Sequence, residues 1–336
     1  MKAVASLTIR FVAIGVLWTG AIAGSVGQLG RVVSPLDGLN HLMPIWVLGA
    51  AAAVAVLIAM RRALGAAELG ALSIVLACGG LQMGPELFAA FARGGGPATG
   101  RDLRLVEFNV SKGNRTPERA TAWILNQDAD VVVLGEAPSY GLIVKALRRR
   151  YPHLVSCTGA QGLCSTVILS KRPPNASGGL AEGDPENRRG LSAAWARFDD
   201  GRASYVVVAV HLQRPWPFGD QAADRARLAR FIGSVGSRQT IVAGDFNATP
   251  WSFALQDQDR AFELDRVSRA KFTWPTRAAG RVGLLGPFAP IDHVYAGPGW
   301  RPLAVRRGPF LGSDHLALVV DLTAAAPRSE RPGMRG

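Results

Sequence analysis

Cysteine is scarce in this chain of 336 residues, and its three cysteines are not spaced as zinc ligands usually are. The sequence has no CxxC pair and no HExxH segment, the patterns of zinc fingers and zinc proteases. It also lacks a GxxxxGK segment, which cradles nucleotide phosphates, and a GxSxG turn, which presents a serine nucleophile. These absences argue against zinc sites, P-loop nucleotide hydrolysis and serine hydrolysis.

Acidic residues are outnumbered by basic ones. The chain carries 38 Lys and Arg residues against 25 Asp and Glu residues, which gives a net charge of +13. Such an excess favours an anionic partner, such as a phosphate ester, a nucleic acid or a lipid headgroup. Because the arginines are spread along the chain rather than clustered, the charge is equally consistent with a solvated surface that is rich in arginine.

Charge is almost absent from three long apolar runs in the first third of the chain. The runs that are long enough to cross the hydrocarbon core of a bilayer cover residues 11–29, 43–60 and 69–91. The last run contains Glu86, so its end is less sharp. We predict three transmembrane helices over these ranges, within a membrane anchor of residues 1–93. The first run could instead be a cleaved signal peptide that ends near Ala23.

The basic residues near these runs predict the orientation of the anchor. Lys2 and Arg10 precede the first run. Arg61 and Arg62 lie between the second and third runs, and Arg31 alone lies in the other loop. Loops rich in Lys and Arg stay on the cytoplasmic side. We therefore expect a multi-pass protein of the inner (plasma) membrane, with everything after the third helix periplasmic or otherwise extracytoplasmic.

Two of the cysteines bear on the same question. Cys157 and Cys164 lie in the segment SCTGAQGLCS, with two glycines between them, and could close a disulfide. A disulfide persists only in an oxidising compartment, which would agree with a periplasmic domain. The alternative is a pair of unrelated thiols. Cys78 lies within the third apolar run and is expected to be a small packing residue.

The rest of the chain reads as one domain of residues 102–322. A glycine-rich linker, residues 94–101, precedes it, and a tail of residues 323–336 that we expect to be disordered follows it. Apolar runs predict strands at residues 103–109, 131–134, 166–170, 193–198, 205–211, 240–243, 291–295, 303–306 and 316–322. Helical patterns cover residues 117–127, 140–149 and 221–235. Residues 252–289 show no regular pattern. Strands and helices mixed without strict alternation predict an α/β fold with two packed sheets and helices outside them.

Polar residues of three types follow the apolar runs of this domain. They are Asn109, Glu136, His211, Asp245, Asn247, Asp292, Asp314 and His315. Carboxylates, amides and imidazoles at many strand ends suit a site for a hard, oxygen-binding cation and a phosphate. Within GDFNATPWS, Asp245 and Asn247 are two residues apart, so on an extended backbone their side chains point the same way. The carboxylate could then activate a water while the amide donates to a phosphoryl oxygen.

In order and rough spacing these motifs resemble the endonuclease/exonuclease/phosphatase superfamily, which includes pancreatic-type deoxyribonuclease and neutral sphingomyelinases. The resemblance spans about residues 102–322. It rests on the strand that ends in Asn109 and on the segments LGEA, VHL, GDFNATP, IDH and the closing SDH. The membrane-anchored first third resembles a bacterial branch of the superfamily. The resemblance implies a four-layer α/β/β/α sandwich that hydrolyses phosphate esters with Mg²⁺, or with Mn²⁺ in its place.

The resemblance also implies a role for each motif residue. Glu136 would be the main Mg²⁺ ligand, with Asn109 close to the metal and Asp314 arranging the metal or its waters. Such a sparse set suits Mg²⁺, which typically takes only one or two protein carboxylates. Asp245 would activate the attacking water, and Asn247 would hold the phosphate.

Two imidazoles complete the implied site. His315 would contact the phosphate, positioned by Asp292, and His211 would stabilise the leaving oxygen. His293 adjoins Asp292 and is interpreted as structural. Several nuclease members have an acidic residue where this chain has Ser111, which puts a two-metal arrangement in doubt. Three aromatic residues beside the motifs are expected to belong to the core or the rim, namely Trp216, Phe218 and Trp251.

The sequence therefore predicts a membrane-anchored, Mg²⁺-dependent phosphoesterase, with a phosphodiester substrate favoured over a monoester. A nuclease and a lipid-headgroup phosphodiesterase both stay open, because the basic surface suits either. A non-catalytic membrane scaffold that retains the fold is a third hypothesis. The expected partners are a nucleic acid or phospholipid substrate and the lipid bilayer, and no protein partner is implied.

Overall fold

The computed structural model describes most of the chain, in stretches that cover residues 2–93, 100–137, 141–157, 165–180, 191–199, 204–216 and 219–325. Cys157 is disulfide-bonded, and Cys164 lies outside these stretches. The predictions for Phe218, for most of the linker and for the tail from residue 326 onward also fall outside them.

The first third of the chain forms three long helices, as predicted. They are α1 (Lys2–Gln28), α2 (Met43–Ala59) and α3 (Ala66–Ala92). All three lie in segments long and apolar enough to cross a membrane. Two of them, α1 and α3, extend beyond the predicted apolar runs, because flanking residues such as alanine and leucine also favour a helix. Residues 29–42, which we call the connecting loop, join α1 to α2 mainly through 3-10 turns.

The three helices pack through small side chains and expose large ones. Their shared core is formed by Ala13, Leu17, Ala21, Ala50, Ala53, Leu57, Ala71 and Val75. Small residues let helix backbones approach closely, which is how helices commonly pack within a bilayer. Large apolar side chains such as Phe11, Leu48 and Phe88 point outward, with exposed fractions of 65%, 64% and 74%. This distribution is the reverse of that in a water-soluble bundle and is consistent with membrane insertion.

In the described part of the remaining chain, strands are accompanied by four further α-helices. The strands are β1 (Leu103–Asn109), β2 (Val131–Gly135), β3 (His153–Ser156), β4 (Thr166–Ser170), β5 (Ala176–Gly179), β6 (Ser192–Asp199), β7 (Ser204–His211), β8 (Thr240–Asp245), β9 (Asp265–Arg266), β10 (Asp292–Ala296), β11 (Trp300–Arg307) and β12 (Leu318–Ala324). The helices are α4 (Pro117–Gln127), α5 (Gly141–Leu147), α6 (Asp220–Val235) and α7 (Phe253–Phe262). The strands form two 6-stranded sheets, ordered β11-β12-β1-β2-β4-β3 and β5-β6-β7-β8-β10-β9.

The two sheets pack face to face, and helices cover their outer faces. Leu105, Val133 and Val207 belong to the core between the sheets. Val106, the neighbour of Leu105 in β1, belongs instead to the cluster under α4 and α5. A third cluster lies between the second sheet and the helices α6 and α7. This alternation along the strands produces the predicted four-layer α/β/β/α sandwich.

Strand register brings the predicted site residues to one end of the sheets. In the first sheet β1 runs parallel to β2, so Asn109 pairs with the last residue of β2 and lies beside Glu136. In the second sheet β7 is parallel to β8 and β10 is antiparallel to it. His211 and Asp292 therefore both pair with Asp245, from opposite sides.

Some elements differ from the sequence-based expectation. Residues 252–289, expected to be irregular, contain α7, β9 and a 3-10 segment, Arg277–Leu285. The helix α7 was not predicted because it is short and polar. The hydroxyl of Ser252 caps its start by accepting the N–H of Leu255 at 3.2 Å. The strands β3 and β5 lie at sheet edges and carry little apolar character. The strand β12 continues to Ala324, beyond the predicted domain boundary at residue 322.

The sandwich domain, residues 102–325, rests directly on one end of the helix bundle. Trp251 is fully buried and packs with Met43 and Cys78 of the bundle. The carboxylate of Asp37, in the connecting loop, accepts hydrogen bonds of 2.9 Å from the first two backbone N–H groups of α7. The bundle is thus a packing partner of the domain.

A buried ion pair joins α3 to the same domain. Glu86 accepts hydrogen bonds from Arg266 at 2.8 and 2.9 Å, from Arg269 at 3.0 Å and from the N–H of Ala270 at 2.8 Å. Arg266 also donates to Asp259 at 2.9 Å. The acidic residue that blurs the end of the third apolar run therefore lies in the interface with the sandwich domain and does not face lipid.

Candidate active site

Asp245, the last residue of β8, lies at the centre of the polar cluster and is buried. One carboxylate oxygen, Oδ1, accepts the backbone N–H of Asn247 at 2.8 Å, and Oδ2 accepts the side-chain amide of Asn109 at 3.0 Å. Oδ2 also lies 3.7 Å from Nε2 of both His211 and His315. Burial raises the pKa of Asp245, and the charge of His315 opposes that effect. The carboxylate is thus held in a fixed direction by groups from both sheets.

His315 and Asp292 form a buried pair beside this carboxylate. Nδ1 of His315 lies 2.8 Å from one carboxylate oxygen of Asp292 and 3.1 Å from the other. Burial alone would lower the pKa of His315, but the carboxylates of Asp292 and Asp245 outweigh it and raise the pKa to about 10. The ring is therefore an imidazolium at neutral pH, with Nδ1–H directed to Asp292 and Nε2–H facing Asp245.

His211 and Asn247 flank Asp245 on the side of β7. Nδ1 of His211 lies 2.9 Å from the hydroxyl of Ser165, which fixes the orientation of the ring. The side-chain amide of Asn247 donates one hydrogen bond, of 2.9 Å, to the carbonyl of Leu212. Because an amide nitrogen carries two hydrogens, the second remains for a ligand in front of Asp245.

Backbone conformation at these strand ends is unusual. Glu136 and Asn247 have φ values of +54° and +48°, in the left-handed region that most residues avoid. Gly244 has φ +150°, and a Cβ at this position would lie 1.8 Å from the carbonyl oxygen of Val210. Such strain persists only where the surrounding structure imposes it, and it concentrates at functional sites. The backbone here is shaped to present side chains rather than to continue a regular strand.

Glu136 has a carboxylate oxygen that is free for a metal ion. Its Oε2 accepts the backbone N–H of Lys112 at 2.7 Å, whereas Oε1 makes no hydrogen bond within the described stretches. Asp314 lines the same cleft. Oδ1 of Asn109 accepts the N–H of Ser111 at 3.0 Å, which fixes that amide beside them. Oxygen donors with an open side fit a hard ion such as Mg²⁺, which keeps several waters in its shell.

A second group of potential ligands lies deeper. In the described part of the chain, the ligand atoms that lie within 4.8 Å of one another belong to Asp245, Asp292 and His315. None of these was predicted to bind the metal, and here the imidazolium of His315 already balances the carboxylates. The predicted ligands Glu136 and Asp314 lie outside this group, at the surface of the cleft.

These groups open into a cleft of about 360 Å³. Its polar side carries Glu136, His211, Asp245, Asn247, Asp314 and His315. Its other side is largely apolar and includes Trp216, Trp274, Phe288 and Ile291. Sequence reasoning missed Arg214, His41 and Leu42, which also line the cleft. Arg214 directly follows the VHL motif, so the sequence could have indicated it. His41 could not be found in this way, because its partner Thr249 lies more than 200 residues away in the sequence.

Two other buried ionisable groups near the site have different explanations. Nε2 of His293 lies 2.9 Å from the carbonyl of Ala248, and burial lowers the pKa of this ring to about 4, so it is a neutral packing residue. Glu107, an acid within the apolar strand β1, was not singled out from the sequence. Neither of its oxygens has a partner among the described residues, and burial, reinforced by Asp292 and Asp245, raises its pKa well above the usual value. Glu107 is therefore a protonated carboxyl beneath the site.

The order of the strands and their polar ends agrees with a known family. Residues 106–315 match the Endonuclease/Exonuclease/phosphatase family. Because the match runs from β1 to the SDH motif and covers more than half of the chain, the protein belongs to this family. The helix bundle lies outside the matched range. No protein of curated function matches the sequence.

Solved structures share the fold at low sequence identity. An endonuclease/exonuclease/phosphatase from Bacteroides vulgatus is 17% identical, with a TM-score of 0.53, over 66% of this chain and 99% of its own. Beta toxin from Staphylococcus aureus is 14% identical, with a TM-score of 0.51, over 65% of this chain and 99% of its own. An endonuclease/exonuclease/phosphatase from Beutenbergia cavernae DSM 12333 is 24% identical, with a TM-score of 0.49, over 67% of this chain and 72% of its own. At such identities the likeness to the first two establishes the fold alone.

Proposed function

We propose that the protein is a Mg²⁺-dependent phosphodiesterase that hydrolyses its substrate by in-line attack of water. The observation that carries this proposal is the position of Asp245, which is fixed by two amides and lies 3.7 Å from two imidazoles in an open cleft. Membership in the endonuclease/exonuclease/phosphatase family supports a phosphoesterase. A base, donors for an oxyanion and a free carboxylate for a metal are together what this chemistry needs.

Glu136, Asp314 and Asn109 would hold the metal ion. When bound, Mg²⁺ would offset the negative charge of the phosphate and polarise it toward attack. Mn²⁺ suits the same oxygen donors. Glu136 is the ligand with the strongest support, because its Oε1 makes no hydrogen bond among the described residues.

The remaining steps fall to the chain's own side chains. Asp245, with both oxygens fixed, would orient the attacking water and accept its proton. His315, held as an imidazolium by Asp292, would donate Nε2–H to a phosphate oxygen. Asn247 would donate its second amide hydrogen to the same group. Donors that are aligned before the reaction stabilise the developing charge without reorganisation.

The leaving group and the shape of the cleft favour a diester. His211, oriented by Ser165, would stabilise the departing oxygen. The cleft extends from the phosphate position along the apolar side formed by residues such as Trp274 and Phe288. This extension leaves room for the second ester substituent of a diester. A monoester has no such substituent and would leave that part of the cleft empty.

We also propose that the active site lies outside the cytoplasm. Lys2, Arg10, Arg61 and Arg62 belong to the helix ends opposite those that contact the sandwich domain. The positive-inside rule would then leave the domain on the extracytoplasmic face of the inner membrane. The disulfide bond of Cys157 supports an oxidising compartment.

The test uses variants that keep the shape of the site. Asp245→Asn removes the base and His315→Gln removes the charged donor, so each should lower kcat on bis(p-nitrophenyl) phosphate by about 100-fold or more. EDTA should abolish the activity of the full-length wild type, and Mg²⁺ should restore it. Asp220→Asn, at the exposed start of α6, is the matched control and should leave kcat unchanged.

Full activity in both site variants would refute the proposal. Calorimetric titration of the wild type with Mg²⁺ provides a second check. An absence of binding, together with an absence of turnover, would favour the non-catalytic scaffold instead.

A further inference from the structure

The connecting loop of the membrane anchor contacts the segment that presents the proposed base. Nδ1 of His41 lies 3.1 Å from the hydroxyl of Thr249 and accepts the backbone N–H of Thr249 at 3.2 Å. The carbonyl of His41 accepts Nε1–H of Trp251 at 3.3 Å. Thr249 and Trp251 belong to the GDFNATPWS motif, which begins with Gly244 and Asp245. The loop therefore supports the catalytic segment directly.

These contacts determine the tautomer of His41. A ring nitrogen that accepts an amide hydrogen carries no proton, so the neutral ring has its proton on Nε2. Nε2 makes no hydrogen bond within the described part of the chain, and the ring lines the cleft together with His211 and Asn247. The anchor thus contributes an imidazole with its proton on Nε2 to the wall of the cleft.

Next to His41 the cleft wall becomes apolar and merges with the bundle. Leu42 lines the cleft, as do Phe288 and Ile291. Phe288 and Ile291 also pack against Ile45, in the first turn of α2. A ligand whose phosphate lies at Asp245 would therefore meet a surface that is continuous with a membrane helix.

An exposed apolar segment extends from the same wall. The chain leaves the wall at Trp274 and returns at Ala289, where the two residues form an isolated antiparallel bridge. Between them, the 3-10 segment Arg277–Leu285 leaves Leu284 83% exposed and Leu285 64% exposed. Exposed leucines beside a membrane bundle are suited to the bilayer interface. The two leucines themselves offer no charge to the phosphates of a nucleic acid.

From these observations we propose that the membrane anchor completes the active site for a lipid substrate, a glycerophospholipid of the surrounding bilayer. His41 donates Nε2–H to the polar headgroup, while Leu42, Phe288 and Ile291 contact the glycerol and the upper acyl carbons. The inference rests on the proposed function, because the phosphate of the lipid takes the position in front of Asp245. The reaction consumes one water, whose OH joins phosphorus and whose remaining hydrogen joins the departing alcohol as one P–O ester bond breaks.

The first experiment compares three substrates with the full-length protein and Mg²⁺. They are vesicles of equimolar phosphatidylethanolamine and phosphatidylglycerol, plasmid DNA and bis(p-nitrophenyl) phosphate. We expect loss of vesicle lipid and hydrolysis of the aryl diester, without cleavage of DNA. The double variant Leu284→Ser with Leu285→Ser should lose about fivefold or more in kcat/KM on vesicles, through KM, and keep its rate on the aryl diester. Leu142→Ser, at a leucine 71% exposed on α5, is the matched control and should change neither value.

The outcomes separate this inference from the function on which it rests. Hydrolysis of the aryl diester without loss of vesicle lipid, or cleavage of DNA in place of lipid, would overturn the inference and leave the proposed function intact. Equal losses of the double variant on vesicles and on the aryl diester would overturn the inference as well. A wild type that hydrolyses none of the three would overturn the proposed function itself.

The second experiment tests the donor of His41. His41→Asn keeps an acceptor oxygen for the N–H of Thr249 but lacks a donor at the position of Nε2, whereas the longer His41→Gln side chain reaches that position with its amide. On vesicles, the Asn variant should lose about tenfold in kcat/KM and the Gln variant should stay within about threefold. The Asn variant, which keeps this acceptor, should keep the Tm of the wild type, and His153→Gln on β3 is the control. Equal losses in the two variants, or none, would assign His41 to packing alone and overturn its role.

Discussion

Replacing Glu86 with glutamine is expected to loosen the sandwich domain from the helix bundle. The carboxylate of Glu86 accepts hydrogen bonds from two arginines and from a backbone N–H, and both it and Arg266 are almost completely buried, at 4% and 2% exposure. Glutamine retains one acceptor oxygen but removes the charge. Arg266 then keeps Asp259, at 2.9 Å, as its acidic partner in the described structure.

The expected loss of stability follows from the burial of this pair. Removing one partner of a buried ion pair costs about 3–5 kcal/mol, because it leaves the other charge uncompensated. Since Asp259 retains part of the compensation, we expect the lower end, about 3 kcal/mol. For a domain of about 220 residues each kcal/mol shifts Tm by about 2–4 °C, so the variant should unfold about 6–12 °C below the wild type.

Thermal unfolding of the full-length protein in detergent, followed by tryptophan fluorescence, measures this shift. Trp251 lies in the same interface and reports its opening. Glu68→Gln, in the first turn of α3 at the opposite end of the bundle, is the matched control and should change Tm by no more than about 1 °C. A Tm for the Glu86→Gln variant within about 2 °C of the wild type would refute the reasoning, because the pair would then contribute no net stability.

Two further substitutions test the pH dependence and the backbone geometry. Asp224 in α6 is buried, and burial raises its pKa to about 6, so the folded state favours its neutral form. The stability that comes from the neutral Asp224 is present below about pH 4 and is lost as the pH rises through 6. After discounting for screening, Asp224→Asn should therefore stabilise the protein by about 1 kcal/mol at pH 8 and should not change its stability at pH 4. Urea unfolding at the two pH values measures this, and equal gains at both would contradict it. Gly244→Ala would place a Cβ 1.8 Å from the carbonyl oxygen of Val210, so we expect size-exclusion chromatography to show little folded protein. Gly233→Ala is the control, because nothing lies within 4 Å of the carbon that it adds. Normal folding of the Gly244 variant would show that the end of β8 can relax.

The polar strand ends could be predicted because they follow from local rules. Asn109, His211 and Asp245 each end an apolar run, and parallel neighbours such as β7 and β8 end at the same edge of a sheet. The pattern of strands and helices indicated two packed sheets, and the motifs supplied the four-layer arrangement through resemblance. The three apolar helices followed from length and charge alone.

Contacts between distant segments could not be predicted in this way. Asp37 caps α7 across 216 residues, and His41 meets Thr249 across 208. No local pattern encodes such pairs, because they exist only once the bundle and the sandwich domain are docked. Glu107 illustrates a related limit, since the side of β1 on which an acid lies matters only when the register of the strands is known. Glu86 illustrates a further limit, because the sequence around an acid near the end of an apolar run is the same whether that acid faces solvent or a partner arginine.

The docking of the bundle against the domain changes what counts as the smallest working unit of this protein. A shortened polypeptide that starts at Arg101 would uncover Trp251, remove the Asp37 carboxylate from the start of α7 and leave Arg266 without Glu86. It would also lack His41, so one side of the cleft would be missing. Assays on such a fragment would report on a remodelled cavity, and purification, screening and ligand soaking need the entire polypeptide.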